Sequence, residues 1–343
     1  MTESGGSGGG GRLPRNRPVE FAGLTVAPGT RRAIELPVAP LPTDTSLSLS
    51  VMVVNGLRPG PTMWLSGVIH GDELNGIEII RQVLRLVHPR TLSGTILAVP
   101  IVNVFGFLNE SRYLPDRRDL NRSFPGSPRG SLTARLAHRF VTEIVAPSDT
   151  GIDFHTGSDH RTNLPQLRVD LGEPGVERMA KAFAAPVTVN ASKRDGSLRT
   201  YCARLGKPIL VYEGGEADRF NEAAIRTGVE GTLRVLADLG MVSEEPPPVA
   251  VPTVVVEHSH WERAHRSGIV RIDVHPGQRV ERGEVLGVIA GAHGERPLAV
   301  RAATPGIVLG YTRHPMVSQG DALVHIADTS EGAKGGLARV PGW

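Results

Sequence analysis

The sequence predicts an α/β fold, a mixed sheet flanked by helices, followed by a smaller C-terminal all-β domain. Three observations carry this. Apolar runs of strand length alternate with segments of helical period between about residues 51 and 239, and strand, helix, strand in succession builds a mixed or parallel sheet. Glu244-Glu245-Pro246-Pro247-Pro248 then breaks the pattern as a linker does. Beyond it only short alternating strands with glycine turns remain. The expected division is a flexible tail over 1–18, a main α/β domain over 19–243, a β domain over 251–328 and a loose glycine-rich tail over 331–343.

The elements follow in order. The opening Thr2-Glu3-Ser4-Gly5-Gly6-Ser7 and its further glycine run read as a flexible segment without the apolar core of a signal peptide. Residues 19–49 read as short strands and proline-bearing turns, with 47–54 alternating like a half-buried strand. Pro59-Gly60-Pro61 reads as a turn. The run 63–69 is apolar but for Ser66, as suits a strand buried on both faces. Ile77, Ile80, Val83, Leu84 and Val87 recur at helical spacing and predict a helix over 72–87. A strand over 95–102 follows, with Gly94 as its turn residue. Residues 103–130 are polar and rich in Arg, Pro and Gly, and a loop of that length is usually functional. A helix over 132–145 starts from Ser131 as N-cap. Next come a short strand, 151–154, ending at His155, helices over 175–183 and 198–205, and an apolar strand, 208–212, ending at Glu213. A long helix over 220–239 is closed by Gly240. In the β region Ser267-Gly268-Ile269-Val270 is echoed by Pro305-Gly306-Ile307-Val308, and Pro276-Gly277-Gln278-Arg279-Val280 by Pro315-Met316-Val317-Ser318-Gln319-Gly320. Two related β units are expected, as in lipoyl-like folds, although no lysine stands at a hairpin tip as a carrier residue would.

Composition excludes several functions. The 343 residues are 40% apolar and 21% charged, which suits a soluble globular protein of one large or two ordinary domains. The formal net charge is only +3 and no dense basic stripe interleaves with aromatics, so no nucleic-acid partner is expected. No apolar run approaches the ~20 residues of a membrane span, so no membrane partner is expected either. Cys202 is the single cysteine, which rules out an intramolecular disulfide, fits a cytoplasmic location and reads as a small buried hydrophobe. The sequence leaves homo-oligomer formation open.

The chemistry lies at strand ends. Three predicted strands each finish on a polar group, His70, His155 and Glu213. Open α/β sheets bind ligands at the carboxyl ends of their strands, so the fold brings these distant residues together. His70 and Glu73, three apart at a strand–helix junction, point an imidazole and a carboxylate at one place. With His155 they supply the three protein ligands of a catalytic zinc, one Zn2+ per chain, with the fourth position for a water whose pKa falls to about 7. Manganese or cobalt suits the same donors. Asp153 either orients a ligand imidazole from behind or caps its strand. Glu213 can serve as base and then acid. Acyl hydrolysis needs a positive partner for the oxyanion, for which Arg112 is the candidate and Arg118 the competitor. In Asp119-Leu120-Asn121-Arg122 an amide and a guanidinium stand side by side, an arrangement that suits a substrate carboxylate.

The ordered set His70-Gly71-Asp72-Glu73, Asp119-Leu120-Asn121-Arg122, Asp153-Phe154-His155-Thr156 and Glu213-Gly214-Gly215 resembles the succinylglutamate desuccinylase/aspartoacylase family, a branch of the zinc carboxypeptidase-like fold. The resemblance covers roughly residues 51–324. It implies His70, Glu73 and His155 as zinc ligands, Glu213 as general base and acid, Arg112 as carbonyl polariser, and Asn121 with Arg122 as carboxylate binders. Arg112-Tyr113 looks like the family's Arg-Tyr pair, with a longer gap to Asp119 than in aspartoacylase, which keeps Arg118 in contention. A further substrate arginine precedes the catalytic glutamate in some members, and Arg199 and Arg204 both lie near that place. Arg161-Thr162-Asn163-Leu164-Pro165 and the 121–126 segment look more like the broad bacterial deacylase branch than mammalian aspartoacylase. The resemblance therefore implies a zinc-dependent hydrolase of linear amides that deacylates a small N-acyl amino acid or related amine. Two readings compete with it. A metallocarboxypeptidase acting on short peptides is disfavoured by a β domain that walls off the groove. A catalytically silent metal-site ligand sensor is opposed by the complete set of ligands and base.

Overall fold

Four strands, largely buried on both faces, form the centre of the molecule. Arg58–Gly67 lies parallel between Ser93–Val99 and Thr150–Gly157, and Ile209–Glu216 runs parallel on the far side of Thr150–Gly157. The structure, a computed structural model, describes residues 14–40, 44, 46–191 and 194–330. Of the loose tails expected over 1–18 and 331–343, residues 1–13 and 331–343 lie outside the described residues, whereas Asn16 is tied to Leu57 and Asn55.

Alternation along each strand divides its apolar side chains between two cores. On one face Met63, Leu65, Phe154 and Tyr212 meet the helices Asn75–Leu86, Pro174–Phe183 and Glu222–Asp238 through Ile79, Val83, Phe183 and Ile225. On the other face Trp64, Leu97 and Ile209 meet Leu132–Phe140 and Leu198–Arg204 through Leu136, Phe140 and Cys202. Cys202 is buried, as its reading as a small hydrophobe requires. The antiparallel pair Thr30–Pro40 and Ser46–Asn55 extends the sheet beyond Ser93–Val99.

Several local expectations are corrected. Pro59-Gly60-Pro61 is not a turn but the start of Arg58–Gly67, where the register slips between Arg58 and Thr62; a proline fits a strand at such an irregularity because no ladder donor is missed. The helix expected over 72–87 begins only at Asn75. The long loop holds a short helix, Val104–Leu108, started by the Asn103 side chain, and a 3-10 turn, Leu120–Arg122. Ser131 does cap the next helix, accepting from the Ala134 amide at 3.3 Å, but the α-helix ends at Phe140 and a π turn, Val141–Val145, completes the segment. Before the proline linker, two strands are not expected from the sequence, Arg161–Val169 and Val187–Asn190.

The C-terminal strands join the same sheet. Gly306–Thr312 pairs antiparallel with Arg161–Val169, then Ala322–Asp328 and Ser259–Arg263 follow outward. A second sheet, Leu298–Arg301, Val285–Ala290, Gly268–Ile272 and Met316–Val317, covers a separate core of Val270, Leu286, Ile289, Leu323 and Ile326. The two echoed phrases exchange partners. Gly268–Ile272 pairs with Met316–Val317 from the second unit, and Gly306–Thr312 pairs with Arg279–Val280 from the first. This β region thereby forms one wall of whatever lies at the ends of the central strands.

Candidate active site

Register places the chemistry. Val211 lies beside Asp153 and Glu213 beside His155 on adjacent parallel strands. Alternation turns Asp153, His155 and Glu213 toward one side, while Phe154 and Tyr212 enter the core on the other, their rings edge to face at 6.1 Å. His70 arrives on a loop, since Arg58–Gly67 has already ended and Val68 turns the chain at φ +54°. Gly71 is required there. A Cβ on it would meet the Gly106 carbonyl carbon at 1.9 Å, and its amide donates to the Ser111 carbonyl at 3.0 Å.

Glu73 lies between two imidazoles. Its Oε1 is 2.7 Å from His70 Nδ1 and its Oε2 is 2.7 Å from His155 Nδ1, with the Thr156 amide donating to Oε2 at 3.2 Å. All three side chains are under 5% exposed, and one ligand atom from each lies within 4.8 Å of the others. Burial pushes the Glu73 carboxyl up, but the charges of His70 and His155 and their hydrogen bonds outweigh it and hold it well below the usual carboxylate range. His70 Nε2 lies 3.3 Å from Asp119 Oδ1, out of line for a hydrogen bond, which leaves a buried ring nitrogen unsatisfied. An imidazole–carboxylate–imidazole set, buried and converging, with an orphaned nitrogen, fits a divalent metal. Asp153 sits behind it, fully buried. Its Oδ2 is 2.9 Å from His155 Nε2 and its Oδ1 accepts from Ser66 Oγ at 2.8 Å, so the carboxylate fixes the ring's orientation and leaves Nδ1 for the centre.

These groups open into a cavity of about 860 Å³. Glu213 lines it, half-buried, with one carboxylate oxygen accepting from Asn163 Nδ2 at 3.0 Å. Burial, with the Glu73 charge added, raises its pKa above the usual carboxylate value although His155 pulls the other way. Arg112 also lines the cavity. Its Nε and Nη2 donate to Asp119 Oδ2 at 3.2 and 2.9 Å, and its Nη1 lies 3.7 Å from Glu73 Oε1. Asn121 and Arg122 line the same wall, where Asn121 Oδ1 accepts from the Leu198 amide at 3.0 Å and Arg122 Nη1 donates to the Asn121 carbonyl at 2.6 Å. Arg199 completes it, with Nη1 donating to the Ala191 carbonyl at 2.8 Å; burial and the nearby Arg168 push its pKa down to about 10.

Two candidates are not brought to the cavity. Arg118 is exposed, because the turn closed by Leu114 N–H on the Arg118 carbonyl, with Arg117 at φ +60°, directs it outward. Arg204 is exposed and paired with Asp195 at 3.0 Å. Five residues on from Arg199, it stands about 140° around the helix. Other residues had no assigned role in the sequence reading. Asp119 ties Arg112 to the Asn121 amide and neighbours His70. Arg161, Arg168 and Arg194 bring the arginines of the cavity to six, and Trp261 and His325 enter it from the β region. Arg168 was legible in principle, since it pairs through Leu167 and Tyr212 onto the level of Val211, but only once the register is known.

The fold and the site define an α/β protein with a buried His–Glu–His centre at the strand ends of a mixed sheet. Residues 59–239 match the succinylglutamate desuccinylase/aspartoacylase catalytic domain, and the chain belongs to that family. Among curated proteins, N-alpha-acetyl-L-2,4-diaminobutyric acid deacetylase of Halomonas elongata is 26% identical over 308 residues, covering 85% of this chain and 90% of the relative. A crystal structure named succinylglutamate desuccinylase/aspartoacylase from Rhodobacter sphaeroides superposes with TM-score 0.77 at 27% identity, covering 86% of this chain and 95% of the other. The product-bound ectoine utilization protein EutE (DoeB) of Ruegeria pomeroyi shares the fold, with TM-score 0.79 at 23% identity, covering 88% and 95%.

Proposed function

We propose that this protein is a zinc-dependent deacylase that hydrolyses the amide bond of an N-acylated amino acid, with His70, Glu73 and His155 holding one zinc ion per chain. The observation that carries it is Glu213, a carboxyl of raised pKa beside His155 in the same cavity as the donor set. When bound, zinc supplies Lewis acidity, lowering the pKa of water and polarising a carbonyl. Glu213 takes the proton of the attacking water and passes it to the departing amine, a role its raised pKa suits. Asn163 holds that carboxyl toward the cavity through its 3.0 Å hydrogen bond. Arg112, fixed by Asp119, offers Nη1 to the carbonyl oxygen as negative charge develops. Asn121, Arg122 and Arg199 receive the substrate carboxylate, for which a guanidinium offers two parallel donors. The relative from Halomonas, named for deacetylation of an N-acetyl diamino acid, supports the substrate class.

Strands Ser259–Arg263 and Ala322–Asp328 wall one side of the cavity through Ser259, Trp261 and His325, which supports a small substrate over a carboxypeptidase's. A single buried thiol suits a reducing cytoplasm, and no described helix is long and apolar enough to cross a membrane. The test is hydrolysis of a panel of N-acetyl and N-succinyl amino acids by metal-replete protein and by Glu213→Gln. Turnover of at least one member, lost in the variant, is expected. Equal turnover by both proteins removes Glu213 from the mechanism, and no turnover by wild type removes the deacylase reading.

A further inference from the structure

The wall contributed by the β region contains an arrangement that the reaction above does not use. Trp261 and His325 are register partners on adjacent antiparallel strands, and their rings stack 4.7 Å apart and within 6° of parallel. His325 is buried, and burial together with the charges of Arg168 and His260 holds its pKa well below the ordinary value, so the imidazole is neutral. A neutral ring can lie on an indole without carrying a charge out of water. The Arg161 guanidinium carbon sits 5.3 Å from the indole centroid.

Arg161 begins the strand Arg161–Val169 and lines the cavity. Its Nε is buried without a hydrogen-bond partner, and it forms no ion pair with a carboxylate among the described residues. A cation–π seat fixes a guanidinium by its face and uses none of its N–H groups. The N–H groups on its two terminal nitrogens therefore remain for an acceptor, and the acceptor that matches their spacing is a carboxylate. Register sets the position. Gly215 pairs with Asn163 and Glu216 with Thr162, so Arg161 lies one step beyond Glu216, on the outer side of Glu213.

We propose that Arg161 is a specificity-determining residue that grips a substrate carboxylate remote from the scissile amide, and that Trp261, braced by His325, is the residue that positions it. The proposal rests on the deacylase reading. The β region then selects the substrate as well as enclosing it.

Two matched pairs test it. N-acetylaspartate against N-acetylasparagine places the carboxylate on the amine side, and N-succinylalanine against N-butanoylalanine places it on the acyl side. In one pair Arg161→Met should lower the KM-based preference for the carboxylate-bearing member by about 10- to 100-fold, the range of a charge-assisted hydrogen bond. Trp261→Leu should lose part of that preference and Trp261→Phe, which keeps a ring face, should retain more of it. An unchanged preference in both pairs for Arg161→Met overturns the assignment. So does a Trp261→Leu protein that melts earlier with its preference intact, since the stack would then be packing alone. Should wild type hydrolyse none of the four, turnover on the wider N-acyl amino acid panel judges the deacylase reading separately, and calorimetric binding of the same compounds decides Arg161, with the same 10- to 100-fold loss in Kd expected of Arg161→Met and equal affinity overturning it.

Discussion

Asp153→Asn removes one charge from behind the metal-type centre and leaves the shape almost unchanged. In the native protein the Asp153 carboxylate takes Ser66 Oγ at 2.8 Å on one oxygen and faces His155 Nε2 at 2.9 Å with the other. An asparagine can keep both contacts, its carbonyl accepting from Nε2–H and its amide donating to the serine hydroxyl. What it loses is the negative charge that, with Glu73, raises the basicity of His155 against a burial that lowers it. Replacing such a partner typically costs 10- to 100-fold in metal affinity. At about 1.4 kcal/mol per tenfold this is about 1.4–2.7 kcal/mol of binding free energy. Chelator competition with a zinc indicator measures it directly, and far-UV circular dichroism verifies that the variant is folded. A folded Asp153→Asn protein with wild-type zinc affinity would refute the reasoning, because the orientation of His155 would then not depend on that carboxylate.

Further outcomes follow from the same geometry. Glu213→Gln should lower kcat by about 10²–10⁴-fold with little change in zinc content, measured on any hydrolysed member of the panel. Because the base must be ionised and its pKa is raised, kcat/KM should climb with pH through a limb lying above the usual carboxylate range, and that limb should vanish in the variant's residual activity. Arg112→Lys should cost about 10²–10³-fold in kcat. Arg118→Ala and Arg204→Ala, both exposed and off the cavity, should leave stability within about 0.5 kcal/mol and kinetics near wild type. Gly71→Ala forces a Cβ against the Gly106 carbonyl and should destabilise by about 1–3 kcal/mol in denaturant unfolding, with weaker zinc binding.

The central strands and their helices were legible because burial on both faces favours apolar runs, as at 63–65 and 209–212, and because Ile80 and Val83 keep the helical period. The donor set was legible because His70 and Glu73 are local in sequence and His155 follows a short apolar run, although its strand does not end there as expected but continues to Gly157. Elsewhere side-chain chemistry overrode pattern. Residues 72 and 73 look helical, yet the Asp72 carboxylate accepts from Ser158 Oγ and the Asp159 amide while Glu73 reaches two histidines, so the helix starts later. Arg161–Val169 does not read as a strand because Pro165 interrupts it, so the places of Arg161, Asn163 and Arg168 are not legible from the sequence. Their arrival in the cavity depends on register across three strands, which no single segment encodes. Arg199 and Arg204 could not be separated by position in the chain, whereas helix phase separates them at once.

Zinc content of the purified, metal-replete protein, measured by mass spectrometry beside His70→Ala and His155→Ala, tests the account most directly. One zinc per chain in the wild type, lost from both folded variants, is the predicted result. Metal-free wild type, or zinc retained when both imidazoles are removed in turn, would contradict it.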